Sequence, residues 1–242
     1  MSTNIDKVLQ KKFEEELIES FQESGIGIRG AVRVKDAGSA KKVQFQVLDQ
    51  MQAQKRGAIQ TPLNTQNVDY TPKVATVEDY YVSEMTDIFK ENQVSFDERQ
   101  AFISTMTMAL ERQLDQIVIN EFINDTLITK TVAANHTGTS SNLLPSSFTE
   151  AAKTLGSAVP DMDRHALVHD NGFYPFLNND DVKNIEISTH KALAEGMLPA
   201  YSGFSIHKIG DRREGGLDVA SSIRQNWFWQ KMSVGLAINM EP

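Results

Sequence analysis

The sequence predicts an α+β fold, and three observations carry that prediction. Residues 95–126, SFDERQAFISTMTMALERQLDQIVINEFINDT, contain neither glycine nor proline and hold apolar residues at helical spacing. Upstream, two stretches of period two flank a long, glutamine-rich connector. Downstream, helical and strand patterns alternate to the end of the chain.

Taken in order, residues 4–24 read as a helix. Ile5, Leu9, Phe13, Leu17 and Phe21 make one stripe, and Gly25 ends it. In GAVRVK, Val32 and Val34 alternate with Arg33 and Lys35. In KKVQFQVLDQ, Val43, Phe45 and Val47 alternate with Gln44 and Gln46. Both are half-buried strand patterns. Residues 49–72 are polar, and TPKVATVEDYYVSEMTD, 71–87, reads as a returning strand. A connector of that length inside a folded unit is uncommon, and with few apolar anchors it is expected to pack on another molecule. The rod follows. Ser95 and Glu98 form a capping box. Ile103, Met106, Leu110, Leu114 and Ile117 trace its apolar face, extended by Val118 and Phe122. At 1.5 Å per residue it is about 45 Å long, more than its own domain requires. After a polar connector at 129–147 come a helix at 148–157 capped by Ser147 and a strand at 165–169. Helices near 171–178 and 181–195, a strand at 203–209, a glycine-rich turn at 210–216 and a terminal strand at 226–239 complete the reading.

The 242 residues suffice for a sizeable core. The absence of cysteine excludes disulfides and thiolate metal sites. No apolar run reaches the length of a membrane helix, and the acidic amphipathic N-terminus lacks a signal-peptide core, so synthesis in the cytosol is expected. Net charge is −8 but uneven: from Arg29 to Arg56 seven basic residues face two acidic ones, leaving −13 for the remainder. Such an acidic body argues against general nucleic-acid binding, which needs clustered positive charge.

Motifs of chemistry are weak. GIGIRG, Gly25–Gly30, matches a dinucleotide fingerprint, but a helix precedes it and a strand follows, the reverse of what pyrophosphate binding requires. Its glycines are read as turning the chain. His165 and His169 have helical metal-ligand spacing but lie on a strand, about 13 Å apart. His136, His190 and His207 stand alone. No nucleophile elbow and no P-loop occur. Trp227, Phe228 and Trp229 read as core and interface. No catalytic, cofactor-binding or metal-ligating residue is therefore expected.

The element order and several segments carry a resemblance. These are IRGAVRVKDAGSAKKVQFQVLDQ before the connector, QAFISTMTMALERQLDQIVINEFI as the rod, RHALVHDNGFYPFLNND, KALAEGMLPAYSGFSIHKIG and WFWQKMSVGLAIN. Together they resemble the major capsid proteins of tailed bacteriophages, the Hong Kong 97-like fold, in its shorter-chain branch. Related chains often continue further, so this branch is minimal or the chain is trimmed. The resemblance implies an N-terminal arm and first strand at 1–40, an extended loop at 41–75 and a peripheral domain at 76–147 around the spine helix 95–126. It also implies an axial domain at 148–225 and a terminal strand at 226–242 returning to the peripheral domain.

The implied function is a non-enzymatic head protein. It would self-assemble, as hexamers and pentamers, into an icosahedral shell around double-stranded DNA, with an encapsulin-type nanocompartment as the alternative. Implied partners are other copies, a portal protein, scaffolding or decoration proteins and DNA held without sequence specificity, with no membrane. The location would be the virion, assembled in the host cytoplasm. Charge adds an expectation of its own. Residues 41–76 carry Lys41, Lys42, Lys55, Arg56 and Lys73 against Asp49 and Asp69, so the loop is expected to dock on Glu98, Glu111 or Asp115 of a neighbouring rod.

Overall fold

The computed structural model describes residues 25–48, 51–55, 68–85, 98–124, 142–156, 163–182, 198, 200–217, 219–220 and 223–239. The expected helices at 4–24 and, beyond its first residues, 181–195, together with the Ser95 cap, most of the 129–147 connector and Arg56, lie outside them.

A 3-10 turn, Ile28–Ala31, leads into β1, Arg33–Asp36. Strands β2 (Lys42–Leu48) and β3 (Tyr70–Thr76) form an antiparallel hairpin ladder running from Lys42–Thr76 to Leu48–Tyr70. The rod is helix α1, Glu98–Asn124, 27 residues and about 40 Å long. Helix α2 (Pro145–Gly156), strand β4 (Arg164–His169) and helix α3 (Asp170–Leu177) follow. Strands β5 (Ala200–Tyr201), β6 (Phe204–Ile209), β7 (Val219–Ala220), β8 (Ile223–Arg224), β9 (Trp227–Gln230) and β10 (Gly235–Ile238) complete the order.

The central sheet has the order β5-β6-β4-β9, with β4 parallel to β6 and antiparallel to β9. Because side chains alternate along a strand, it presents two buried faces. Leu167, Ile209 and Trp229 point one way, into a core with Val118 and Ile119 of the rod and Ile28, Ala31 and Val32 of the N-terminal turn. Ala166, Val168 and Phe204 point the other way, into a core with Phe148 of α2 and Phe173, Phe176 and Leu177 of α3. Burial on both faces explains why the middle of β4, Ala166, Leu167 and Val168, is apolar at consecutive positions instead of alternating.

Three expectations are corrected. The final strand is not continuous over 226–239. A 3-10 turn at Lys231–Ser233 interrupts it, so β9 stays in the central sheet while β10 leaves to pair with β1 in parallel. The rod's buried face also differs. Ala101, Asp115, Gln116, Val118 and Ile119 are the buried positions, whereas Ile103 is 64% exposed. The core meets the C-terminal half of the rod, and the stripe drawn through Ile103 and Met106 continues beyond it. Finally, α2 begins at Pro145, so Ser147 is a buried residue of the first turn and not its cap.

Candidate assembly interface

The rod holds the rest of the fold through a polar seam. Asp115, 1% exposed, accepts backbone N–H donations from Ile26 at 2.6 Å and Ile28 at 3.1 Å and faces the Arg212 guanidinium at 3.3 Å. The glycine-rich stretch GIGI therefore does receive an anion on its backbone N–H groups, but the anion is the chain's own carboxylate. Gly25 is needed for this approach, since a Cβ there would come within 2.8 Å of the Glu111 Cβ. The next residue, Gln116, accepts from the Gly216 N–H at 2.8 Å and donates to its carbonyl at 3.3 Å. Arg112 pairs with Glu214 at 2.9 Å. Burial pushes the Glu214 carboxyl up, but Arg112, the backbone and Arg212 together hold it below the usual carboxylate value. The turn at 210–216 is thereby fastened to one side of the rod.

This seam removes Asp115 from the docking residues expected on the rod. It faces inward and is committed to the chain's own backbone. Glu111 stays exposed on the rod, and Glu98 sits at its first turn. Lys41, Lys42, Lys55 and Lys73 are all exposed along or beyond the β2–β3 hairpin, while Arg56 lies outside the described residues.

The hairpin is fixed only at its base. Val43 and Phe45 bury against Ala37, Ala75, Val77 and Ala237, and Gly235 leaves room for the Phe45 ring. Beyond that the ladder is bare. Val47 is 50% exposed, Leu48 51%, Met51 61%, Tyr70 68% and Val74 52%. The register places Leu48 opposite Tyr70 and Val74 opposite Gln44, so these three apolar side chains share one face. The strand expected over 71–87 ends at Thr76, and residues 77–85 after it form a ribbon without regular secondary structure, with Tyr81 86% and Met85 95% exposed. Apolar groups gathered in this way mark a surface for association.

A histidine pair lies on the rod-facing side of the sheet. His165 Nδ1 and His207 Nε2 are 3.2 Å apart, within hydrogen-bond distance, with Trp229 alongside both. Burial lowers both pKa values; the His207 charge lowers His165 further, and Asp163 and Asp115 oppose the two shifts. The sequence offered no sign of this pair, because only the β4–β6 register brings residues so distant in the chain together. Trp229 is core, as expected, and donates its indole N–H to the Ala31 carbonyl at 2.9 Å. Among the described residues no group of three or more potential ligands could hold a metal ion.

The model of the phage capsid protein family matches residues 5–242. The chain belongs to that family. Solved structures share its fold. The capsid of cyanophage P-SCSP1u is 18% identical, with a TM-score of 0.70, over 99% of this chain and 83% of that one. Mycobacterium phage Che8 is 13% identical, with a TM-score of 0.64, over 95% and 83%. The acid-stable capsid of Helicobacter pylori bacteriophage KHP30 is 11% identical, with a TM-score of 0.69, over 88% and 67%. No curated protein matches in sequence. The protein is a major capsid protein, a structural component of the virion that self-associates into its shell. These matches do not favour the nanocompartment alternative.

Proposed function

We propose that this capsid protein forms the hexamers and pentamers of a closed shell around double-stranded DNA, and that its hairpin and loop lie across a neighbouring subunit. The observation that carries the reading is the hairpin itself, packed at its base and apolar along an exposed ladder. Residues 1–40 serve as arm and first strand, 41–75 as the extended loop, and 76–147 with 226–242 as the periphery around the rod. Residues 148–225 lie nearer the symmetry axes. The overall charge of −8 suits a wall that does not grip DNA, since a basic wall would hold it by counterion release. A portal, scaffolding or decoration proteins, and assembly in the host cytoplasm belong to the same reading.

The loop's basic residues find carboxylates on the neighbour; of the rod residues expected to offer them, Glu98 and Glu111 remain and Asp115 is removed. Contacts of this kind weaken as salt rises, because the Debye length is only about 8 Å at physiological ionic strength. Negative-stain microscopy of the purified protein is expected to show closed shells whose yield falls with salt. A Lys55→Glu, Arg56→Glu variant that assembles with the same yield and salt response would count against loop docking.

A further inference from the structure

We propose that the surface receiving the hairpin is the acidic ribbon, residues 77–85, of a second copy of this chain. The inference rests on the reading that the hairpin docks on a neighbour, and it names the acceptor.

The ribbon, VEDYYVSEM, carries Glu78, Asp79 and Glu84 and no basic residue, and all three carboxylates are exposed. Between and beside them stand Tyr80, 47% exposed, Tyr81, 86%, Val82, 42%, and Met85, 95%. The described part of the hairpin and its loop has the complementary character. Lys41, Lys42, Lys55 and Lys73 oppose Asp69 alone, and Leu48, Tyr70 and Val74 stand on one face. Lys42 shares the face of Leu48, Tyr70 and Val74 whereas Lys73 lies on the opposite face beside Phe45, so it is the hairpin as a whole that carries an excess of positive charge, opposite in sign to the ribbon. The rod's outer face matches less well. Asp115 is turned inward, and the Glu111 stem abuts Gly25.

The two surfaces of one chain do not satisfy each other. The ribbon starts at the base of the hairpin, where the Val77 N–H donates to the Lys41 carbonyl at 3.0 Å. The tip pair Leu48–Tyr70 lies six rungs away, about 20 Å at 3.4 Å per residue. The Tyr80 hydroxyl meanwhile donates to Glu78 at 3.0 Å and lies within reach of Gln113 on the rod, so the ribbon runs toward the rod and not back along the ladder. Leu48, Met51, Tyr81 and Met85 accordingly stay bare in the single chain. The occupant is a second copy because the family assembles from copies of itself and because the complementary surface is present on every copy.

Charge exchange tests the pairing. One variant reverses the ribbon (Glu78→Lys, Asp79→Lys, Glu84→Lys), one reverses the hairpin (Lys55→Glu, Lys73→Glu), and a third combines them. A fourth combines the reversed hairpin with Glu98→Lys and Glu111→Lys. Shell yield is read by sedimentation and electron microscopy, after melting curves show that each unassembled variant is folded. Each reversal alone is expected to lower yield about tenfold, the effect of a few exposed pairs acting together, and the third variant to restore most of it. Rescue by the rod substitutions and not by the ribbon would overturn this acceptor while leaving hairpin docking in place. A reversed hairpin that assembles normally would overturn both. Ribbon reversal that is harmful but unrelieved by the reversed hairpin would likewise remove the ribbon as its partner.

Discussion

Replacing Asp115 with alanine is expected to destabilise the unassembled subunit by about 3–5 kcal/mol, the usual cost of removing one partner from a buried charge pair. The structure shows where that energy sits. The carboxylate is 1% exposed and accepts from two backbone N–H groups at 2.6 and 3.1 Å. Without it these donors lose their acceptor inside the protein, and Arg212 loses the carboxylate it faces at 3.3 Å. Each hydrogen bond to a charged group contributes about 1.5–3 kcal/mol, and the contributions overlap, so they do not simply add to the pair cost. For a chain of this size each kcal/mol moves the melting temperature by about 2–4 °C, so the expected fall is about 6–20 °C. Scanning calorimetry at low concentration and high salt keeps assembly from adding to the apparent stability. Glu111→Ala, exposed one turn away on the same rod, is the comparison and is expected to change stability by less than about 0.5 kcal/mol. If Asp115→Ala melts as Glu111→Ala does, the carboxylate does not tie the N-terminal segment to the rod.

Two further expectations concern other parts of the fold. The His165–His207 pair has lowered pKa values in the folded chain, so below about pH 6.5 the unfolded chain binds more protons. Stability is therefore whole above that pH and declines as pH falls. The denaturant midpoint should drop between pH 7.5 and 5, and a His165→Gln, His207→Gln variant should show a flatter profile; parallel profiles would refute the assignment. Gly235→Ala would place a Cβ 2.9 Å from the Phe45 ring. A cost of about 1–3 kcal/mol is expected, together with reduced shell yield because the hairpin base must shift; unchanged melting and yield would show that the contact relaxes freely.

Much of the architecture was legible because it is written in local periodicity. The β2–β3 hairpin follows from Val43 and Phe45 alternating with glutamines, and the rod from the lack of any glycine or proline across 98–124. The rod's inner face was not legible. Asp115 and Gln116 are polar, and an apolar template passes over them, yet they are buried because backbone N–H groups from distant turns converge there. A polar pair set between Leu114 and Ile117 was the available signal. The split of the last strand was equally hidden, since WFWQKMSVGLAIN keeps an extended pattern through the 3-10 turn.

By itself the sequence determined the type of most described elements, the long polar excursion, the uneven charge and the resemblance to a capsid subunit, because these depend on spacing and composition along the chain. Tertiary structure alone decided which side of the rod is buried, that two histidines meet, that β10 returns to β1, and that apolar groups on the hairpin and ribbon stay uncovered. Those outcomes depend on contacts between residues tens to hundreds of positions apart, whose closeness no local pattern records.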